Sequence, residues 1–306
     1  MDGAPCPAAR ERAVIPLWDE RTYGSPARPG GSTRRPVPVV TLLLMAACIV
    51  VFFAVQPTRI TTRHLLTPGL QLVDRDDLEF TTRNAAIPCE LVQGRPLSEH
   101  EFRATFFGDD PSACTDRAGR PHNRGKVVYL GLLYSMFLHG SPEHLFGNLL
   151  FLWVFGNDIE ERWGRVRYLL LYLVGGVVAT LAHVVTDVHS TVPLVGASGA
   201  IAAVMGAYLV CFPANRVKTI VFWGPLQLRK VKAAWLLGIW LATQLLLIPG
   251  GSGIAWAAHV GGFVFGAVWG LVWRLRHRPR PDHGRPAVPD PTPATDPGPT
   301  ATPLPA

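Results

Sequence analysis

Six apolar stretches, most with arginine or lysine at one end, confine this chain to a short list of folds. They cover residues 37–55, 142–159, 166–186, 197–212, 233–248 and 254–273. A helix needs about 20 apolar residues to cross the hydrocarbon core of a bilayer, and only helices and closed barrels satisfy their backbone there. Some of the six are shorter, which suits helices inside a bundle or a locally thinned bilayer. Arg34 and Arg35 precede the first run, and Arg162, Arg165 and Arg167 precede the third. Arg216 and Lys218 follow the fourth, Arg229, Lys230 and Lys232 precede the fifth, and Arg274, Arg276, Arg278 and Arg280 follow the last. The positive-inside rule then predicts cytoplasmic termini, with loops 157–166 and 213–232 also inside and 57–141, 187–196 and 249–253 outside. The formal charge of +7 is accounted for by this placement, so no nucleic-acid surface is inferred. At 17% charged residues the chain also falls below the roughly 25% of an ordinary soluble domain.

The expected fold is therefore an all-α membrane protein, a six-helix bundle with a long external loop between its first two spans. Residues 1–36 and 276–306 read as disordered cytoplasmic tails rich in proline, and 37–275 as the membrane domain. The first run lacks a convincing cleavage site and is expected to act as an uncleaved signal anchor. Residues 57–126 are polar and too long for a simple connection. The apolar segment 127–138 is too short to span and reads as interfacial or re-entrant. None of the five cysteines is spaced as CxxC, so no metal site is expected. Cys48 and Cys211 read as packing residues. Cys89 and Cys114 share the external loop, where a disulfide and two free thiols remain equally open readings.

Polar groups inside a membrane are costly and point to function. Ser198 lies about one residue into the fourth run and His259 about five residues into the sixth, while His144 and Asn148 stand one turn apart in the second. At 1.5 Å per residue all four lie within roughly 10 Å of the external boundary. A hydroxyl beside a neutral imidazole makes a nucleophile with its general base. An imidazole and an amide on one face can donate to the oxyanion of a tetrahedral intermediate. The competing reading is plain helix–helix hydrogen bonding by Ser, Asn and His. Glycines favour the first: Gly196, Gly199 and Gly206 surround the serine, while Gly262 and Gly266 follow the histidine. Small residues on both faces let two helices approach closely enough for a Ser–His contact.

These residues resemble the rhomboid family of intramembrane serine proteases. Gly196-Ala197-Ser198-Gly199 is similar to the family's GxSG motif, and Ala258-His259 with Gly262 and Gly266 to its AHxxGxxxG motif. His139, His144 and Asn148 match HxxxxHxxxN, and Gly156, Glu160 and Gly164 match GxxxExxxG. The resemblance covers about residues 127–273. It implies cleavage of transmembrane or membrane-proximal segments of other membrane proteins, without cofactor or metal. Ser198 would be the nucleophile and His259 the base, and His144, Asn148 and the Ser198 N–H would form the oxyanion hole. By the same resemblance His139 would stabilise the external loop and Glu160 the inner ends of the second and third spans. The implied partners are the lipid bilayer and substrates whose transmembrane helix is destabilised.

Three features depart from the pattern. Ala202 stands where members often carry an aromatic against the catalytic histidine, the external loop has no Trp-Arg pair, and residues 57–126 are long. A catalytically silent rhomboid-like protein that binds transmembrane segments is the alternative, though such proteins typically lack the Ser or the His. The absence of HExxH disfavours a metalloprotease, and the lack of repeats a transporter. The Ile-Pro-Gly-Gly-Ser-Gly loop at 248–253 reads as a gate beside the dyad. Arginine over lysine with abundant Ala, Gly and Pro suits a GC-rich genome, hence a bacterial plasma membrane as the default location.

Overall fold

The computed structural model describes residues 37–57, 75–108, 110–115, 119–222, 226–246 and 255–277, with the backbone alone at 220–222 and 226–228. The N-terminal tail, nearly all of the C-terminal tail and the gate at 248–253 lie outside the described residues. Helices occupy each of the six apolar stretches: α1 (Val39–Val50, continued by a π turn Val51–Val55), α6 (Pro142–Trp163), α7 (Arg165–Thr186), α8 (Ser198–Cys211), α9 (Ala233–Leu246) and α10 (Trp256–Arg276). Among the described residues, α7 and α10 are long and apolar enough to cross a membrane, whereas α1 with its π turn, α8 and α9 are shorter apolar helices. Leu42, Leu43 and Phe53 of α1, Val166, Leu170 and Val185 of α7, and Val264, Val268 and Leu271 of α10 are exposed. A surface this apolar suits lipid rather than water.

Helix α8 sits at the centre. Its sequence SGAIAAVMGAYLVC is apolar on every side, as a helix enclosed by others must be, and Ala200 through Tyr208 are all buried. It packs on α10, α7 and α6. The contact with α10 is closest because glycines line it. A Cβ on Gly266 would lie 1.8 Å from the Ala203 carbonyl oxygen, and one on Gly262 2.3 Å from that of Gly199.

Glu160 is buried near the end of α6 and accepts from the backbone N–H groups of Val40 and Thr41 and from the Thr41 hydroxyl. It thus satisfies orphan donors at the start of α1. The resemblance assigned it to the second and third spans; among the described residues it ties α6 to α1 and reaches α7 through Thr41, whose hydroxyl lies 3.2 Å from that of Tyr168. Gly156 leaves room for this junction, since a Cβ there would meet the Tyr168 hydroxyl at 2.4 Å. Gly164, at φ +82°, makes the turn from α6 to α7.

Two expectations are corrected. The molecule is not wholly helical: β1 (Arg216–Phe222) and β2 (Leu226–Lys232) pair antiparallel between α8 and α9, with Arg216 opposite Lys232. The β-branched alternation in Arg-Val-Lys-Thr-Ile-Val-Phe is strand-like, but its charges drew the reading toward a loop. The stretch 57–126 is also no plain loop. It carries α2 (Arg75–Asn84), α3 (Pro88–Gln93) and α4 (Glu99–Phe107), the last opened by a Ser98–Glu101 capping box. The two loop cysteines are bonded to each other, with Cα atoms 5.8 Å apart. Segment 127–138 forms a 3₁₀ turn and the short α5 (Gly131–Tyr134), with Tyr129, Leu133 and Tyr134 exposed.

Candidate active site

Ser198 is the first residue of α8, so its N–H has no acceptor within the helix and points from the positive end of the dipole. The chain enters through Gly196 at φ +120°, where a Cβ would lie 2.7 Å from His144 Cε1. Only glycine admits both the conformation and the imidazole beside it. The Gly196 N–H donates to the Ser135 carbonyl at 2.9 Å, and the Leu194 N–H to that of Ala86 at 2.8 Å. These two bonds set where the serine begins.

His259 stands in the first turn of α10, and its Nε2 lies 2.8 Å from the Ser198 hydroxyl. The glycine contacts between α8 and α10 make that distance attainable. On the other side of the ring, Nδ1 lies 2.6 Å from Gln244 Oε1 on α9. The Trp240 ring, one turn earlier on α9, stands 5.8 Å from the imidazole and tilted by 43°. An aromatic therefore does flank His259, supplied by α9 rather than by the Ala202 position. Gln244 escaped the sequence reading. Its signal was an amide beside Thr243 in an otherwise apolar run.

From α6, the His144 ring borders Gly196, and Asn148 donates one N–H to the His144 carbonyl at 2.9 Å. The amide carries two such hydrogens, which leaves a second for another acceptor. The His139 backbone is clamped by the Gln56 side chain, which accepts from its N–H at 3.0 Å and donates to its carbonyl at 3.2 Å. Its ring Nδ1 lies 3.2 Å from the Phe137 carbonyl, and the ring meets that of His144 edge to face. Burial, helped by neighbouring His144, pushes the His139 pKa down to about 4. The imidazole is therefore neutral at pH 7.

Beside Ser198 a cavity of about 30 Å³ is lined by Ser135, Met136, Gly176, Thr180 and Val195. That is room for a water molecule, with hydroxyl groups to hold it. Cys89, Glu101 and Cys114 also cluster, but both sulfurs are committed to the disulfide and cannot bind a metal. The structure thus brings Ser198, His259, His144 and Gly196 together with Gln244, and sets Gly156, Glu160 and Gly164 toward the far end of α6.

A serine in hydrogen-bond contact with a histidine at the start of a central apolar helix defines a class, and comparison with known proteins names it. The rhomboid domain model matches residues 127–276, and the chain belongs to the rhomboid family. It is 33% identical over 144 residues to presenilin-associated rhomboid-like protein A, mitochondrial, of Danio rerio, covering 46% of this chain and 37% of that one. It is 40% identical over 85 residues to rhomboid protease GluP of Bacillus subtilis (strain 168), covering 28% and 16%. To rhomboid-related protein 2 of Mus musculus it is 32% identical over 129 residues, covering 42% of each. The matched part is thus less than half the length of each of these three relatives.

Proposed function

We propose that this chain is an intramembrane serine endopeptidase that cuts transmembrane or membrane-proximal segments of other membrane proteins. The observation that carries the reading is the 2.8 Å contact between His259 Nε2 and the Ser198 hydroxyl. With the proton of the ring on Nδ1, the Nε2 lone pair faces the serine and takes its proton as Oγ attacks a peptide carbonyl. The oxyanion then forms beside the Ser198 N–H, the second Asn148 N–H and His144, a donor set suited to stabilise it. The imidazolium passes its proton to the leaving amine, giving an acyl-enzyme. Water, for which the cavity beside Ser198 has room, is deprotonated by His259 and releases the acid. Peptide bonds in a helix are shielded by their own hydrogen bonds, so substrates whose helix unwinds at small or helix-breaking residues are the ones expected.

The same proposal places six helices across a bilayer, with the site near the end away from the cytoplasm. Ser198, His144 and His259 stand at the beginnings of their helices. Arg162, Arg165, Arg274 and Arg276 and the hairpin's basic residues stand at the opposite ends, where Trp163 and Trp273 stack with the Arg162 guanidinium 5.4 Å over Trp273. This is the charge asymmetry of a protein with that end in the cytoplasm.

The test is labelling of detergent-solubilised protein with a fluorophosphonate, comparing wild type with Ser198→Ala and His259→Ala. Labelling of wild type alone, with cleavage of a reconstituted transmembrane substrate, supports the enzyme. A folded wild type that neither labels nor cleaves refutes it in favour of a rhomboid-like protein that only binds transmembrane segments.

A further inference from the structure

We infer that Gln244 is a positioning residue for His259, making the site a Ser–His–Gln relay contributed by three helices. The inference rests on the serine-protease reading above. Three observations carry it. First, Gln244 Oε1 lies 2.6 Å from His259 Nδ1, on the side of the ring opposite Ser198. Second, the amide is oriented by its other end. Its Nε2 lies 3.2 Å from the Thr243 hydroxyl and 3.5 Å from the Trp240 carbonyl, so the oxygen is the atom left to face the imidazole. An amide's oxygen and nitrogen are told apart by such a network. Third, Gln244 is 7% exposed, so water does not compete freely for its oxygen.

The consequence is a fixed tautomer. An acceptor at Nδ1 holds the ring proton there and leaves Nε2 as the lone pair that Ser198 needs. It also fixes the ring's rotation, because Trp240 constrains the imidazole without giving it a hydrogen bond. A neutral amide does this without placing a carboxylate in an apolar bundle, where an unpaired charge is costly. It gives the imidazolium formed during attack less stabilisation than a carboxylate would. Among the described residues, the titratable groups acting on His259 from other helices are His144 of α6 and His183 of α7, both imidazoles and neither an anion.

The experiment compares wild type, Gln244→Met, which keeps the bulk and loses the acceptor, and Gln244→Glu, which keeps the acceptor. Each is reconstituted with a transmembrane substrate, and kcat and KM are read across pH. Gln244→Met is expected to lose about 10- to 100-fold in kcat, by analogy with the loss seen when the hydrogen bond orienting a metal-bound histidine is removed, with KM within about twofold. Gln244→Glu should keep most of kcat at its optimum and move the acid limb of kcat/KM to higher pH, since a carboxylate favours the protonated ring. A purely structural role predicts no such restoration and no such displacement. Wild-type kcat in Gln244→Met overturns the inference, as does a defect that Gln244→Glu shares with an unmoved acid limb. Should Gln244→Met not fold, Gln244→Glu against wild type decides by the same two readouts. Absence of fluorophosphonate labelling in wild type would instead sink the protease reading itself, so the two failures are distinguishable.

Discussion

At the scale of single residues the proposed site divides into groups that would react and groups that would hold them. Asn148 would do both, because one N–H is committed to the His144 carbonyl and the second meets no acceptor among the described residues. Asn148→Ala should lower kcat about 100-fold or more, the usual cost of one oxyanion donor, while fluorophosphonate labelling of Ser198 persists at a reduced rate. An unchanged kcat would remove Asn148 from the oxyanion hole. Acid should act through different residues. His139 is held neutral with a pKa of about 4 against an ordinary 6.5, so the unfolded chain binds its proton first. Stability from this group is complete above pH 6.5 and is lost as pH falls toward 4. Burial alone would raise the Glu101 pKa. The Arg95 guanidinium and the N–H groups of Ser98 and Thr115 outweigh that and hold it at about 2, so its contribution is lost between 4.5 and 2. Melting temperature should therefore fall steadily below pH 6. A flat profile from pH 7 to 4 contradicts the buried neutral His139. The motif residues were legible in the sequence because glycine spacing and misplaced polar groups mark them, whereas Gln244 was not. A lone amide in an apolar run shows no partner until the fold brings His259 to it.

Between elements, the distance that matters is the one from α8 to α10, and glycine sets it. A methyl group on Gly266 would drive into the Ala203 backbone carbonyl, which cannot give way as a side-chain tip can. Gly266→Ala should cost about 1–3 kcal/mol as overpacking usually does, and should slow Ser198 labelling by widening the gap to His259. Gly238 on α9 has nothing within 4 Å of an added Cβ. Gly238→Ala is therefore the control, expected to be neutral or up to about 1 kcal/mol stabilising from its lower unfolded-state entropy. Equal effects in a melting assay would show that the α8–α10 contact is looser than described. Helix existence was readable from the apolar runs alone. The β hairpin was not, because alternating Lys and Arg on a strand reads like any solvated basic loop. The helices α2 to α4 were also missed, since their burial is supplied by partners distant in sequence. Lys126 is one of these, donating to the Thr82 and Ala85 carbonyls and to buried Glu90.

Across the whole molecule, the folded region between α1 and α6 is joined to the segment that leads into Ser198. The Cys89 N–H donates to the Ser190 carbonyl and the Thr191 N–H to that of Pro111, each at 2.9 Å. Thr105 and Thr191 share a hydroxyl hydrogen bond at 2.7 Å, and Ala86 both pairs with Leu194 and donates to the Ser135 hydroxyl. Residues 190–196 are thus braced from one side just before Ser198. The brace depends on the Cys89–Cys114 bond, which closes a 25-residue separation. A loop of that size is worth about 3 kcal/mol through the entropy it removes from the unfolded segment, and this small region has little apolar core to replace it. In Cys89→Ser with Cys114→Ser, residues 86–115 should become open to limited proteolysis while the bundle, whose core lies around α8, stays protected. If the bracing matters for chemistry, kcat should fall with little change in KM, because the start of α8 shifts relative to His259 while the surface that receives substrate does not. Proteolysis of 86–115 without loss of kcat would make the region an independent appendage, and resistance to proteolysis in the double variant would mean that its helices hold without the disulfide.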